Sequence, residues 1–196
     1  TLDGDGVVIE DGRPIPEEAA LRAALTKSVG AVEQMPPAYS AKSVGGVRAY
    51  RLARQGITPQ LTPKRVEIYS AKLLSFRSPA AEVEIHCSSG TYIRSICRDV
   101  AAMLGTVATM TAIKRTRCGA FTVDDAVTLT QLETLGARAL IPVETALAEL
   151  PRVDAPDPLY ASIANGVRVA IDAPDEPFTL YCRGELFGLG KHENGL

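Results

Sequence analysis

The chain is expected to fold as an α+β protein, and three observations lead there. Two neighbouring stretches, KRVEIYSAKLLSFRS and AAEVEIHCSS, alternate with the two-residue period of strands, and the RSPA between them makes an antiparallel hairpin their natural pairing. The stretches flanking that hairpin, PIPEEAALRAALTKSVG and IRSICRDVAAMLG, carry their apolar residues at helical spacing instead. Beyond a Pro-rich stretch, FTLYCRGELFGLGKH reads as more strand, enough for a small β module of under fifty residues that holds little core by itself.

Each element has its own signals. The opening TLDGDGVVIEDG is acidic and turn-like and lacks the basic and apolar regions of a signal peptide; with no initiator Met, a piece of a longer protein is expected. Residues 16–29 are predicted to be helical, with acids in the first turn, Ala20, Leu21, Ala24, Leu25 and Val29 on one face, and Gly30 as the stop. In QMPPAYSAKSVGGVRAY, two prolines, Ser and Gly-Gly argue against regular structure. VRAYRLARQG reads as a short helix that lines up Arg48, Arg51 and Arg54, three residues apart, on one face. In the hairpin, Ala81, Val83, Ile85 and Cys87 share a face opposite Glu82, Glu84 and His86. Ile93, Ile96, Cys97, Val100, Met103 and Leu104 then fit a helix ending at Gly105. RCGAFTVDDAV reads as a turn and short strand, and LTQLETLG as a short helix. LPRVDAPDP reads as a linker, and YASIANGVRVAI as short strands about an Asn-Gly turn.

Composition narrows the function classes. With 46% hydrophobic and 22% charged residues the chain is ordinary globular protein, not a disordered tail. No apolar run reaches the roughly 18 residues that a membrane span needs, so no membrane partner is expected. Cys87, Cys97, Cys118 and Cys182 form no C-x-x-C pair and have only two His to help them, so no metal site is expected. Cys87 and Cys97 fall on apolar positions and read as buried reduced thiols of a cytoplasmic protein.

The net charge of -2 conceals a strong asymmetry. Residues 1–33 carry seven acids against three bases, residues 34–123 four against thirteen, and residues 124–196 twelve against five. From Gln34 to Val66 there is no acid, but there are Lys42, Arg48, Arg51, Arg54, Lys64 and Arg65; from Val100 to Val123 there is again none, with Lys114, Arg115 and Arg117. Basic charge concentrated in this way points to a polyanion such as RNA. Arg48, Arg51, Lys64, Arg65, Lys114 and Arg115 are therefore the candidate RNA-binding residues.

One short run is out of character for a turn. HCSSGTYIRSICRD places Tyr92 and Arg94 where a strand gives way to a helix. A cation at the positive end of a helix dipole is disfavoured by about 0.3 to 1 kcal/mol, so an anion should lie close to Arg94. A tyrosine two residues earlier could stack on a planar group at the same mouth.

QMPPAYSAKSVGGVRAYRLARQG, KRVEIYSAKLLSF, IHCSSGTYIRSICRDVAAMLGTVATMTAIKRTRCGAF and the final β module follow one another in an order and spacing that resembles the TruB-type tRNA pseudouridine synthases, relatives of Cbf5 and dyskerin. The resemblance covers nearly the whole chain. It implies isomerisation of uridine 55 in the T-loop of tRNA to pseudouridine, with no metal and no organic cofactor. In that family the base is flipped into a pocket and an aspartate adds covalently to the nucleoside. Tyr92 matches the tyrosine that stacks on the base and takes a proton, and Arg94 the arginine that pairs with the aspartate. Ile113 matches an apolar residue of the uridine pocket, and Lys42, in PPAYSAK, is placed with the substrate-binding residues.

The family's G-H-T-G-x-L-D-P motif, which carries the nucleophile, does not occur in these residues. TLDGDGVVIEDGRPIPEEAALRAAL aligns instead with a later T-D-x-x-D-x-x-G segment, so Asp3 is not assigned as nucleophile. The resemblance thus implies the catalytic domain over 1–149, short of its N-terminal third, and a PUA-like RNA-binding β module over 150–196. The expected protein is a monomeric, cytoplasmic tRNA-modifying isomerase that acts on a T-arm stem-loop. The 196 residues alone are expected to bind RNA without turning it over. Its rivals are a non-catalytic RNA-binding or chaperone fragment and a protein-interaction scaffold.

Overall fold

The computed structural model describes residues 2–4 and 13–192, so most of the acidic opening lies outside the described residues. The chain divides into two compact units, Thr1–Ile113 and Lys114–Leu196. This division by packing falls earlier than the 149/150 division implied by the family's modules.

In the first unit, α1 spans Glu18–Lys27 and leads into β1, Gly30–Gln34. The QMPPAYS segment is irregular, as its prolines require. The Gly-Gly that follows does not abolish structure, however. Gly45 and Gly46, at φ 56° and 81°, form the turn of a two-residue hairpin, β2 (Ser43–Val44) and β3 (Val47–Arg48). Helix α2 covers Ala49–Arg54 and begins one residue too late to include Arg48, which is its N-cap, on one face with Arg51 and Arg54. Then come the long β4 (Lys64–Arg77), β5 (Ala80–Cys87) and α3 (Ile93–Met103).

Strand order is β1-β4-β5, antiparallel throughout. β1 pairs with the first part of β4, from Lys64 to Ile68, and β5 with the rest. The expected hairpin forms with two register shifts, which leave Tyr69 and Leu74 on β4 exposed.

The inward residues of β4, Ile68 and Leu73, meet Ala24 and Leu25 of α1 and Ile96 and Val100 of α3. Val32, Val83, Ile85 and Ile93 pack around them. Burying each large aliphatic chain contributes roughly 1.5 to 3 kcal/mol, so this cluster is what docks α3, and with it the GTYIR turn, on the sheet. Cys87 and Cys97 are free and only half-buried.

In the second unit, Arg117–Cys118 (β6) and Phe121–Thr122 (β7) form a short hairpin. α4 (Leu129–Leu135) opens with a capping box: Gln131 N–H donates to Thr128 Oγ1 and Thr128 N–H to Gln131 Oε1. α5 is a single turn, Val143–Ala146.

Two expectations are corrected here. LPRVDAPDP is not a linker: Arg152–Ala155 forms β8, which runs parallel to β9 (Phe178–Cys182), and the prolines flank the strand without interrupting it. YASIANGVRVAI does not open as a strand: Tyr160–Ala164 is the helix α6, and Asn165-Gly166 ends it, Gly166 sitting at φ 69°. Pro158 just ahead favours this helical start, and the Asn-Gly pair serves a helix end as readily as a hairpin. β10 (Glu185–Gly190) joins β9 through an Arg183-Gly184 turn, giving the sheet order β10-β9-β8.

Candidate functional site

The GTYIR turn is fastened to the sheet before the helix begins. Ser88 N–H donates to Glu67 C=O at 2.8 Å, and Glu67 N–H donates back to Ser88 Oγ at 3.0 Å. Thr91 Oγ1 donates to Ser88 C=O at 2.8 Å, closing the turn on itself. Gly90 adopts φ +80°, and Lys64 Nζ fills the space that a Cβ there would occupy. Lys64, expected at an RNA surface, is thus held directly against the turn that presents Tyr92.

Tyr92 is the N-cap residue of α3, half-buried, with an extended backbone. Its N–H donates to Gln34 Oε1 at 2.8 Å and its C=O accepts from Gln34 Nε2 at 3.2 Å. Gln34 is 3% exposed.

Arg94, in the first turn of α3, has the anion that its position demands. Its Nη1 donates to Asp3 Oδ2 at 3.1 Å, and its Nη2 to Tyr39 C=O at 3.0 Å. Both side chains of the ion pair are mostly shielded from solvent. Asp3 stands beside Met110, whose N–H donates to Leu2 C=O. Asp3, set aside as nucleophile, is therefore the carboxylate found next to Arg94.

A second set of bonds joins α3 to the PPAYS loop. Met35 C=O accepts from Ser95 Oγ at 2.8 Å and from Arg98 Nη2 at 3.1 Å. Tyr92, Arg94 and the segment from Gln34 to Tyr39 form one bonded assembly. Two motifs some sixty residues apart in the chain thus make a single wall.

The basic residues are arranged less uniformly than their spacing implied. Arg48 Nη1 donates to Ala41 C=O and supports the β2–β3 hairpin. Arg51 and Arg54 both lie over the ring of Tyr50, at 6.0 and 5.5 Å, and Arg51 Nε donates to the phenol. The bond from Arg51, then its charge, holds the Tyr50 phenol below its ordinary pKa. Lys42 Nζ donates to Thr62 C=O and Thr62 Oγ1, so its ammonium is spent on the loop ahead of β4.

Arg65 pairs in register with Glu33 across β1 and β4. Ile113 is 61% exposed, at the end of the first unit. Lys114 and Arg115 are exposed, outside any helix or strand, at the start of the second. Among the described residues no cluster of His, Cys, Asp and Glu could hold a metal ion, and no helix is long and apolar enough to cross a membrane.

Gln34, Tyr39 and Tyr50 were not singled out from the sequence. For Gln34 a signal existed: alternation along GAVEQ puts it on the same face as Val32, and a polar side chain on a buried face must find hydrogen bonds there.

Known proteins share this arrangement of segments. The TruB family pseudouridylate synthase N-terminal domain matches residues 1–93, and the tRNA pseudouridylate synthase B C-terminal domain matches residues 94–148. The tRNA pseudouridine synthase B of Caulobacter sp. strain K31 is 35% identical over 177 residues, 87% of this chain and 57% of that protein. That of Bradyrhizobium diazoefficiens is 36% identical over 211 aligned positions, 100% of this chain and 61% of that protein. The chain thus spans about three fifths of the length of these curated relatives. Cbf5 in a Cbf5-Nop10-Gar1 complex has the same fold, with TM-score 0.67 at 22% identity over 90% of this chain and 55% of Cbf5. With its mixed helices and antiparallel sheet, its GTYIR turn and these relatives, the chain belongs to the TruB-type pseudouridine synthase family.

Proposed function

We propose that this chain carries the uridine-binding wall of a tRNA pseudouridine synthase that isomerises uridine 55 of the T-loop. The observation that carries the reading is the joint placement of Tyr92 and Arg94 at the start of α3, with a carboxylate 3.1 Å from the guanidinium.

The chemistry asks for such a wall. The N1–C1′ bond of the uridine breaks, a C5–C1′ bond forms, the proton on C5 leaves and N1 takes one up. A base can enter this geometry only after it has left its stack, at a cost of a few kcal/mol. The face of Tyr92 can recover part of that cost by stacking, at about 1 to 3 kcal/mol per base, and its hydroxyl can relay the C5 proton, accepting it while passing its own on. Arg94 can hold a carboxylate by charge-assisted hydrogen bonds, as it holds Asp3, and in this reading the nucleophilic aspartate that it serves is a different residue. Arg51, Arg54 and Lys64 supply charge for the phosphate backbone, and Ile113 an apolar contact to the base. In this reading residues 150–196 are a PUA-like RNA-binding module.

A second reading applies to the 196 residues by themselves: RNA binding without isomerisation, favoured by the G-H-T-G-x-L-D-P motif not occurring among them. Both readings share a substrate, and competition tests it. A T-arm hairpin should displace labelled tRNA better than single-stranded or duplex RNA of equal length, since shape and an extruded base are what this wall would recognise. Equal displacement by all three would overturn the T-loop reading and leave the second, RNA binding without isomerisation, in its generic form.

A further inference from the structure

We infer that Gln34 is a positioning residue for Tyr92, setting the direction of its ring and phenol through the backbone. The inference rests on the reading of Tyr92 as the group that meets the flipped uridine.

The geometry is specific. Gln34 is the last residue of β1 and is 3% exposed, so its amide has little access to water and must be satisfied within the protein. Both of its ends turn to one residue: Oε1 accepts from Tyr92 N–H at 2.8 Å and Nε2 donates to Tyr92 C=O at 3.2 Å. Only one orientation of the amide gives both bonds, since the oxygen cannot donate and the NH2 cannot accept.

Together the two bonds straddle the Cα of Tyr92 and hold it at φ −97° and ψ 109°. The direction of the Cα–Cβ bond follows from those two angles, and they set which side-chain rotamers are open to the ring beyond it.

The position needs such a device. Tyr92 is an N-cap with no side-chain cap of its own, so its N–H lies outside the ladder of α3. Its C=O already accepts from Ser95 N–H at 3.0 Å and Ile96 N–H at 3.1 Å, so Gln34 grips the peptide on which the helix starts. The neighbouring bonds from Ser95 and Arg98 to Met35 C=O, and from Arg94 to Tyr39 C=O, hold the same two segments together without touching Tyr92. They dock the loop; Gln34 aims the tyrosine. A misplacement of about 1 Å at a reacting group can cost on the order of 100-fold in rate, which makes an aiming residue consequential.

The test uses residues 1–196 labelled with 3-fluorotyrosine, the Tyr92 signal being the ¹⁹F resonance absent from Tyr92→Phe. Gln34→Met keeps the length and removes both bonds; Gln34→Glu keeps the acceptor and loses the donor.

In the free protein Gln34→Met should shift or broaden the Tyr92 resonance while the other tyrosine resonances hold, with a smaller change in Gln34→Glu. Affinity for a T-arm hairpin should fall about five- to tenfold in Gln34→Met, and the same change made in a Tyr92→Ala background should have no further effect. An unmoved Tyr92 resonance, or an equal loss of affinity in the Tyr92→Ala background, would overturn the inference. If Gln34→Met fails to fold, Gln34→Glu answers the same two questions. If the parent chain binds no hairpin, the functional reading fails, while the free-protein resonance still decides whether Gln34 positions Tyr92.

Discussion

Asp3 and Arg94 stand 91 positions apart in the chain, and their carboxylate and guanidinium meet at 3.1 Å. The contact connects the first described residues to the start of α3, and it answers the electrostatic problem that Arg94 creates at a helix N-terminus.

A charge-assisted bond in so sheltered a place should be felt in stability. Asp3→Asn is expected to cost roughly 1 to 3 kcal/mol, read as a lower urea midpoint at unchanged slope. An unchanged midpoint would mean that the pair contributes nothing to folding.

Salt dependence tests the proposed RNA surface. Because Arg48 braces the β2–β3 hairpin through Ala41, the informative change is at Arg51 and Arg54, whose guanidiniums lie over Tyr50. Replacing both by Gln should lower the slope of log affinity against log salt by roughly one to two units, as counterion release requires. A slope that does not move would remove this pair from the interface.

The same cluster predicts a titration. Arg51 holds the Tyr50 phenol below its ordinary value of 10.0, chiefly by hydrogen bonding. A folded-state pKa below the unfolded one stabilises at pH above the unfolded value, and that contribution is lost as pH falls through the folded one. Ultraviolet titration should show one phenol ionising early among the six tyrosines, and Arg51→Met should return it to the ordinary range. Retention of the early phenol in that variant would assign it to another tyrosine.

Much of the fold was legible because its signals are local. The alternation of β4 and β5 and the apolar stripe of α3 each sit within a dozen residues or so. The errors fell where one signal serves two structures. Asn165-Gly166 ends a helix as well as it turns a hairpin, and the prolines about Arg152–Ala155 border a strand that only its pairing with β9 reveals. At the site, the need of Arg94 for an anion was legible from helix electrostatics, but which anion was not. Asp3 reaches it only through tertiary packing, as Gln34 reaches Tyr92.

The phenol and the ring of Tyr92 are separable. Tyr92→Phe keeps the ring face, so in a turnover-competent family member with the same GTYIR turn the affinity for a T-arm hairpin should hold within about twofold while product formation collapses. Turnover at the unsubstituted rate would reduce Tyr92 to a stacking platform.

The central claim is that Arg94 and Tyr92 belong to a uridine-isomerising wall whose nucleophile is not Asp3. The direct measurement is tritium release from a T-arm transcript labelled at uridine C5, with hairpin binding recorded on the same preparation. Residues 1–196 should bind the hairpin and release no tritium. Tritium release by these residues alone, abolished by Asp3→Asn, would contradict the account and make Asp3 the nucleophile.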